Sequence, residues 1–410
     1  MSLILLENAR VFDGWSPDCA EGQHVLVEDG IIRELSEKPM TVAHARVIDI
    51  AGQTLMPGLI DAHIHAYSCH ILDWDSESHG AAYRTAHAAR MLAHALDCGF
   101  TSVRDVGGGD HSLARAITDG LIRGPRFFYA GKHLSITGGH GDIRQLDDAS
   151  SCCGCGLISA LARIADGVDQ VTQAARDELR QGAHCIKILA SGGVVSATDP
   201  IWMNQYSEPE IRAVVRETAE RRTYTTAHCH PTSAMRRCID CGVRSIEHGT
   251  LMDADTARYI AGKRAYVIPT IVVLFELMER GAELGMPAAN RAKVQEVYQH
   301  ALEGLDHMRQ AGVKIGFGTD LLGPLYLRQC REFTLRSEVF TPLEILRQAT
   351  SLTAEMMMLD GKIGCIKEGA YADLIVVDGD PLKDINLLAQ DGRRLSMIMR
   401  GGEILKGSRG

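Results

Sequence analysis

From about residue 57 to residue 359, the chain repeats one pattern, an amphipathic stretch followed by a short apolar run. The stretches YRTAHAARMLAHALDCG, VDQVTQAARDELRQGA and EPEIRAVVRETAERR carry apolar residues at helical spacing. The runs FTSVRDVG, HCIKILASGG and TYTTAHCH follow them and have the length of buried strands. Strands alternating with helices over roughly 300 residues indicate βα units on a parallel sheet, and eight such units close into a barrel. The sequence therefore predicts an α/β fold, a (β/α)8 TIM barrel, with strands ending near His65, Asp105, Lys132, Ala190, His228, His248, Thr270 and Asp320.

The two ends of the chain differ from the middle, because turns rather than helices separate their apolar runs. Near the N-terminus these runs are LILLENARVFDG and HVLVEDGIIREL, with Asp29 and Gly30 as a turn. Near the C-terminus they are DLIVVDGDPL and LSMIMRGGEILKG. We expect residues 1–56 and 360–410 to pair into one composite β-sandwich domain and residues 57–359 to form the barrel.

Composition and charge exclude several classes of partner. The net charge of −9 is spread along the chain, and no run of Lys or Arg offers a track for phosphates, so we expect no nucleic-acid partner. No apolar stretch approaches the roughly 18 to 20 residues that cross a bilayer, so we expect no membrane partner. At the N-terminus, Glu7 and Arg10 come too early for a signal peptide, which predicts a cytoplasmic protein.

The chain has 12 cysteines, which we expect to be reduced thiols in that compartment. Cys152, Cys153 and Cys155 form a cluster in SCCGCG and could be half of a thiolate metal site. No second cluster of paired cysteines with finger-like spacing follows. We therefore expect this segment to be a glycine-containing loop.

The stretch PGLIDAHIHAY places His63 and His65 one residue apart at the end of an apolar run. In an extended strand these side chains point to the same face, where two neutral imidazoles can bind a divalent metal. Barrel enzymes carry their chemistry at the C-terminal ends of the strands. Each residue found at such an end has an ordinary structural explanation when taken alone, but together they predict a metal site: His63, His65, Lys187, His228, His248 and Asp320.

With these residues, the sequence resembles the metal-dependent amidohydrolase superfamily. The match extends to the segments MPGLIDAHIH, TSVRDVGG, TGGHGD, IKILASGGV, IEHGT, GFGTDLLG and GAYADLIVVDGDPL. These segments resemble the imidazolonepropionase-related branch that contains prolidase-type enzymes and metal-dependent carboxypeptidases of acyl-amino acids. The resemblance covers nearly the whole chain, including the β-sandwich at its ends, and is much less specific for the substrate.

The resemblance implies two divalent metal ions, usually Zn²⁺. One ion would be held by His63, His65 and Asp320, and the other by His228 and His248. Lys187 would bridge them as a carbamate formed with carbon dioxide, because an ammonium group cannot ligate a metal. The alternative is a mononuclear site with Lys187 left cationic.

The resemblance also implies a reaction, hydrolysis of the amide bond to a C-terminal amino acid in a dipeptide or an N-acyl amino acid. Asp320 would act as general base and then as general acid. His140 in TGGHGD would stabilise the oxyanion, the alternative being an exposed loop histidine. His230 departs from prolidase-type relatives, which often have a tyrosine at this position, so the sequence does not predict a strict preference for C-terminal proline. His230 would donate to the substrate carboxylate or serve as a spacer. The backbone of Ser191, Gly192 and Gly193 would hold the same carboxylate, and Tyr206 would line the pocket.

Two other functions compete with this interpretation. The first is hydrolysis of a cyclic amide or deamination, chemistry that in many relatives needs one metal and no lysine bridge. The second is a non-catalytic barrel scaffold, although such proteins tend to lose ligands and all six are present here. We expect a small-molecule or dipeptide substrate and a homo-oligomer. The sequence leaves the substrate side chain open, with proline, apolar and aromatic residues all compatible.

Overall fold

The computed structural model describes residues 2–144, 159–196 and 198–407. The predicted loop with Cys152, Cys153 and Cys155 lies outside them. The N-terminal segment forms five strands: β1 (Leu3–Val11), β2 (Ala20–Glu28), β3 (Ile31–Ser36), β4 (Arg46–Asp49) and β5 (Thr54–Pro57). Asp29 and Gly30 connect β2 to β3 with φ of 46° and 81°, as a two-residue hairpin turn of the primed type requires.

The middle of the chain forms a closed barrel of parallel strands. Its strands are β6 (Leu59–Ile64), β7 (Phe100–Asp105), β8 (Arg126–Tyr129), β9 (His133–Ser135), β10 (Ala162–Ile164), β11 (Cys185–Leu189), β12 (Tyr224–Cys229), β13 (Ser245–His248), β14 (Tyr266–Ile268) and β15 (Lys314–Ile315). The Ala62 N–H donates to Phe317 O at 2.9 Å and joins β6 to the segment after β15. The His184 N–H donates to Tyr129 O at 2.8 Å and joins β8 to β11. These bonds close the ring, and the predicted TIM barrel is confirmed.

The third barrel strand is divided in two. Its first part, β8, pairs with β7, whereas its second part, β9, pairs with β10 and with β11. Between the two parts, the Ala130 N–H donates to Asp105 O. The strand predicted to end near Lys132 is therefore present, and β9 continues it after a break.

Helices cover the outside of the barrel. They are α1 (Asp73–Glu77), α2 (Ala81–Asp97), α3 (His111–Thr118), α4 (Gly167–Arg180), α5 (Glu208–Glu220), α6 (Thr232–Asp240), α7 (Ala254–Lys263), α8 (Ile271–Arg280), α9 (Ala288–Ala311), α10 (Arg331–Arg336), α11 (Pro342–Gln348) and α12 (Ser351–Met356). Several helices begin and end at residues that favour helix ends. A capping box of Ser207 and Glu210 begins α5, and Gly312 ends α9 with φ of 71°. Among the described residues, no helix is long and apolar enough to cross a membrane.

The C-terminal segment returns to the N-terminal strands. It forms β16 (Leu374–Val377), β17 (Leu395–Arg400) and β18 (Glu403–Lys406). The eight strands make one sheet in the order β18-β17-β16-β5-β1-β2-β3, with β4 also on β1. Leu6, Val25, Leu374 and Met399 belong to its own buried core. The two ends of the chain thus pair as expected, while the domain boundaries at residues 56 and 360 stay a prediction.

Candidate metal centre

His63, His65 and Asp320 meet at the C-terminal end of the barrel. Asp320 Oδ1 lies 3.4 Å from His63 Nε2 and 3.2 Å from His65 Nε2. The strand β6 ends at Ile64, and its register with β7 shifts between Asp61 and Ile64. The two imidazoles converge despite this irregularity. Their ligand atoms and that of Asp320 all lie within 4.8 Å of one another, which is a spacing that one metal ion can bridge.

Lys187, His228 and His248 lie beside this first group. The ring centroids of His228 and His248 are 4.5 Å apart, and the ring of His63 is 4.9 Å from that of His248. Lys187 is buried on β11, and burial lowers the pKa of its ammonium group to about 8. The structure therefore brings all six residues predicted to bind metal to one end of the barrel.

Each of the four histidines has one ring nitrogen held by a hydrogen bond from behind. The pairs are His63 Nδ1 with Glu247 Oε2 (2.6 Å), His65 Nδ1 with Gly107 O (3.2 Å), His228 Nε2 with Gly192 O (3.1 Å) and His248 Nδ1 with Thr270 Oγ1 (2.7 Å). The other nitrogen of each ring is left for a ligand. Such outer hydrogen bonds fix the ring orientation of metal-binding histidines.

The electrostatics of the site also fit a metal. Burial and the neighbouring cationic groups lower the pKa of His228 and of His248 well below the ordinary value, so both imidazoles are neutral, the form that binds metal. The pKa of the Asp320 carboxyl is held well below its usual range by His63 and His65, against the effect of burial. Neutral imidazoles with a carboxylate are a donor set that suits zinc and similar divalent ions.

Three residues of the site have left-handed backbone conformations that are rare for residues with a side chain. The φ angles are 71° at His248, 48° at Thr270 and 56° at Asp320. His248 directly follows Glu247, whose side chain is completely buried. In a regular strand two successive side chains point to opposite faces, and the left-handed backbone of His248 breaks this alternation. Strain of this kind persists where the surrounding structure enforces it, often at functional sites.

Glu247 and Arg104 support the centre from below, and the sequence analysis did not find them. Arg104 Nη2 donates to Glu247 Oε1 at 2.7 Å, and both side chains are fully buried. Glu247 Oε2 accepts from His63, so the carboxylate connects the arginine to a metal-binding residue. The signal in the sequence was IEHGT, where Glu247 alternates with the apolar Ile246 and so occupies an inward position.

A cavity opens above these residues. We call its base the cavity floor, formed by His63, His65, Lys187, His228, His248 and Asp320. We call its facing side the cavity wall, formed by Asp73, Leu161, Val273, Leu274 and Leu277. The mostly apolar wall above polar, metal-binding side chains suits a small organic molecule.

His140 lines the cavity beside the floor, as predicted. Its ring stacks on that of His228 at 4.5 Å. His140 Nδ1 is hydrogen bonded to Ser196 Oγ at 2.9 Å and lies 3.5 Å from Asp199 Oδ2, so a buried carboxylate orients the ring. Asp199, in SATDP, was missed by the sequence analysis, since nothing in that loop pattern separates it from a turn residue.

His230 also lines the cavity. Its Nδ1 is hydrogen bonded to Thr250 Oγ1, and burial lowers its pKa to about 3, so the ring is neutral. Because Nδ1 is hydrogen bonded to Thr250, Nε2 of the neutral ring is available for a bound substrate. This geometry is compatible with the predicted contact to a substrate carboxylate.

The predicted backbone cradle of Ser191, Gly192 and Gly193 is wrong. The Gly192 N–H donates to Met203 O at 3.0 Å, and the Gly193 N–H donates to Asp199 Oδ2 at 3.1 Å. Ser191 Oγ accepts from the His230 N–H. Gly193 serves another purpose, because a Cβ atom there would lie 2.1 Å from His140 Cε1. The segment therefore positions His140 and His230, and the N–H groups of Gly192 and Gly193 are used within the protein.

Tyr206 does not line the cavity. Its side chain is buried in the hydrophobic core, and its carbonyl accepts from Arg237 Nη1 at 3.0 Å. The tyrosine has φ of 55°, a left-handed turn just before α5. With this turn, the ring lies in the core and not in the predicted pocket. The distance of Tyr206 along the sequence from the metal-binding residues does not reveal the turn.

Asp73 and His133 are cavity residues that the sequence analysis missed. Within the described part of the chain, the Asp73 carboxylate makes no hydrogen bond or salt bridge, and burial raises its pKa. His133 Nδ1 is buried without a partner among the same residues. Neither residue follows the strand-end pattern, since Asp73 lies on the short helix α1 and His133 begins β9.

A closed barrel with this set of histidines, lysine and aspartate at the ends of its strands defines a barrel hydrolase with a metal centre. The amidohydrolase family matches residues 54–405. An ochratoxinase from Aspergillus niger is 32% identical over 367 residues, covering 86% of this chain and 76% of that protein.

Solved structures agree with this match. The crystal structure of a prolidase complexed with N-methylphosphonate-L-proline superposes with a TM-score of 0.96, at 42% identity, covering 99% of this chain and 100% of the other. That of a Xaa-Pro dipeptidase with bound methionine in the active site has a TM-score of 0.88 at 28% identity, covering 99% and 100%. The chain belongs to the amidohydrolase family. It is an enzyme that hydrolyses amide or peptide bonds, in a superfamily that generally uses a metal centre.

Proposed function

We propose that the enzyme hydrolyses the amide bond to a C-terminal amino acid, in dipeptides or in N-acyl amino acids. The observation that carries this proposal is the cavity, in which His230 lies beside the predicted metal-binding residues. Two similar solved structures are named as a prolidase and a Xaa-Pro dipeptidase, names that refer to bonds of this type. An ochratoxinase is among the similar curated proteins. Hydrolysis of a cyclic amide would need no partner for a carboxylate.

The floor would hold two divalent ions, which we propose to be Zn²⁺. His63, His65 and Asp320 would hold one, and His228 and His248 the other. Lys187 would bridge them as a carbamate, since its buried amine lies among the ligands and an ammonium group cannot coordinate. When bound, such ions act as Lewis acids and lower the pKa of a coordinated water.

Asp320 is the residue that we assign to proton transfer. Its carboxylate lies between His63 and His65 on the cavity floor and is in the ionised form that accepts a proton. It would take a proton from the attacking water and deliver that proton to the leaving nitrogen. Both transfers use one carboxylate because the water and the amide would occupy the same small cavity.

His140 and His230 would contact the two ends of the reacting group. His140, held by Ser196 and Asp199, would donate to the oxyanion of the tetrahedral intermediate. His230, held by Thr250, would donate through Nε2 to the C-terminal carboxylate. Each ring is fixed by a hydrogen bond on its Nδ1 side, so neither needs to reorganise when the substrate binds.

Asp73 favours dipeptides over N-acyl amino acids. The Asp73 carboxylate, which has no hydrogen-bond or salt-bridge partner within the described part of the chain, would attract the free α-ammonium group of a dipeptide at the cavity wall. An N-acyl amino acid has no such charge. Apolar Leu274 and Leu277 nearby would contact the N-terminal side chain.

The experiment is to measure amino-acid release from a panel of dipeptides with zinc-loaded protein and bicarbonate. Xaa-Pro, Xaa-Phe, Xaa-Leu and Xaa-Arg are each paired with the N-acyl form and with the C-terminal amide. We expect release from the free acids and at least about tenfold slower release from the amides, because the amides lose the charged hydrogen bond to His230. Equal rates for acids and amides would contradict a carboxylate contact. Release from no member, with metal bound, would contradict the proposed substrate class.

A further inference from the structure

A second group of metal-binding side chains lies outside the cavity, where the end of α2 meets the start of α10. Cys98 directly follows α2, Cys330 directly precedes α10, and Asp391 lies in the turn before β17. Their ligand atoms are all within 4.8 Å of one another. None of the three is among the residues that line the cavity. The group is therefore separate from the floor.

His94 lies next to Cys98, outside the set of three residues whose ligand atoms are all within 4.8 Å of one another. It lies four residues before Cys98 on the same face of α2, and His94 Nε2 is 3.5 Å from Cys98 Sγ. The thiols of Cys98 and Cys330 are free and hydrogen bonded to each other. Around a tetrahedral zinc with bonds of roughly 2.0 to 2.3 Å, ligand atoms are about 3.3 to 3.8 Å apart. Cys98, Cys330 and Asp391 are already close to that spacing, and the His94 ring would move toward the other two ligands to join them.

The packing of the turn holds Asp391 against the two cysteines. A Cβ atom on Gly392 would lie 1.9 Å from Asp97 O, so only glycine allows this turn to lie against the end of α2. Asp391 has φ of 49°, which is unfavourable for a residue with a side chain. Its backbone N–H also donates to the Cys330 sulfur. The strained turn is thus fixed on the thiols by the surrounding structure.

We propose that Cys98, Cys330, His94 and Asp391 form a structural site for a divalent cation of the zinc type, which ties the C-terminal segment to the barrel. Two thiolates, an imidazole and a carboxylate are a closed four-ligand set of the kind found in structural zinc sites. A disulfide between the two cysteines would use neither His94 nor Asp391.

Cobalt substitution of the full-length enzyme tests the proposal. A thiolate bound to Co²⁺ gives a sulfur-to-cobalt charge-transfer band, whereas the cavity floor contains no sulfur ligand. We expect the band in the reduced wild-type protein and its loss, with one fewer cobalt per chain, in Cys98→Ser and Cys330→Ser. Asp391→Asn replaces an exposed side chain and should raise the cobalt dissociation constant at this site at least about tenfold.

Two matched variants control for other cysteines. Cys238→Ser alters a buried thiol pair, in which Cys229 Sγ lies 3.7 Å from Cys238 Sγ, and should keep the band. Cys69→Ser alters a different group, Cys69 with His70 and His79, and should also keep it. A band that survives in folded Cys330→Ser, or a reduced wild type that binds cobalt at the floor without any band, overturns the proposal. A Cys98–Cys330 disulfide in the purified protein, with no added cobalt uptake after reduction, overturns it as well.

Discussion

The floor and the wall of the cavity are built in different ways. The histidines of the floor and Asp320 lie near the ends of barrel strands or in the segments that follow them, and Lys187 lies within β11. The four histidines are held from behind by hydrogen bonds. The wall comes from the short helix α1, from Leu161 before β10 and from α8. On the wall, the Asp73 carboxylate makes no hydrogen bond within the described residues. The fold thus fixes the floor, where we expect the chemistry, and leaves the wall to determine which substrate binds.

The largest effect is expected at Asp320 on the floor. Asp320→Asn removes both the proton acceptor and an anionic ligand, so kcat should fall by roughly 10³-fold for every substrate of the panel. Steady-state kinetics of the zinc-loaded protein measure this, with far-UV circular dichroism to verify the fold. Asp119→Asn, which alters an exposed carboxylate paired with Arg115, is the matched control and should be unchanged. Full activity in Asp320→Asn would remove the reason for assigning the chemistry to the floor.

Lys187 tests whether the floor has one metal position or two. Lys187→Ala should lower the metal content from two ions per chain to about one and the activity by roughly 100-fold, since the bridging anion is lost. Acetate or another short carboxylate should restore part of both, as measured by metal analysis and by turnover. Lys263→Ala, an exposed lysine, should show no dependence on acetate. Two bound ions in the alanine variant without acetate would contradict the bridge and favour a mononuclear centre.

Glu247 lies behind the floor and should have a smaller effect. Glu247→Gln weakens the hydrogen bond that orients His63, so zinc affinity should fall by roughly 10- to 100-fold. The change also leaves Arg104 buried without its counter-charge, which costs on the order of 3–5 kcal/mol of stability. Competition with a metal indicator gives the affinity, and urea unfolding gives the stability. A loss of stability with unchanged zinc affinity would show that Glu247 supports the barrel alone.

The difference between the floor and the wall also explains which site residues could be predicted from the sequence. The floor residues were found because strand periodicity and the parallel barrel fix where strand ends meet, as for His228 and Asp320. Glu247 was missed because the alternation in IEHGT indicates an inward position but not the partner of the buried carboxylate, Arg104, which is far away in the sequence. Gly193 was misassigned because the partner that it accommodates, His140, is far away in the sequence. Loop direction depends on individual backbone angles such as that of Tyr206, and no pattern in one sequence encodes those.

The smallest effect, and the sharpest test of the wall, is expected at Asp73. Asp73→Asn keeps the shape of the side chain and removes its charge, so kcat/KM for a dipeptide should fall by about tenfold, mainly through KM. The N-acyl form of the same substrate carries no ammonium group and should be hydrolysed at an unchanged rate. The ratio of the two rates, measured for wild type and variant at one zinc concentration, cancels any shared effect on the floor. A parallel loss for both substrates would mean that Asp73 affects the catalytic residues of the floor. Asp73 would then contribute to the chemistry and not only to the choice of substrate.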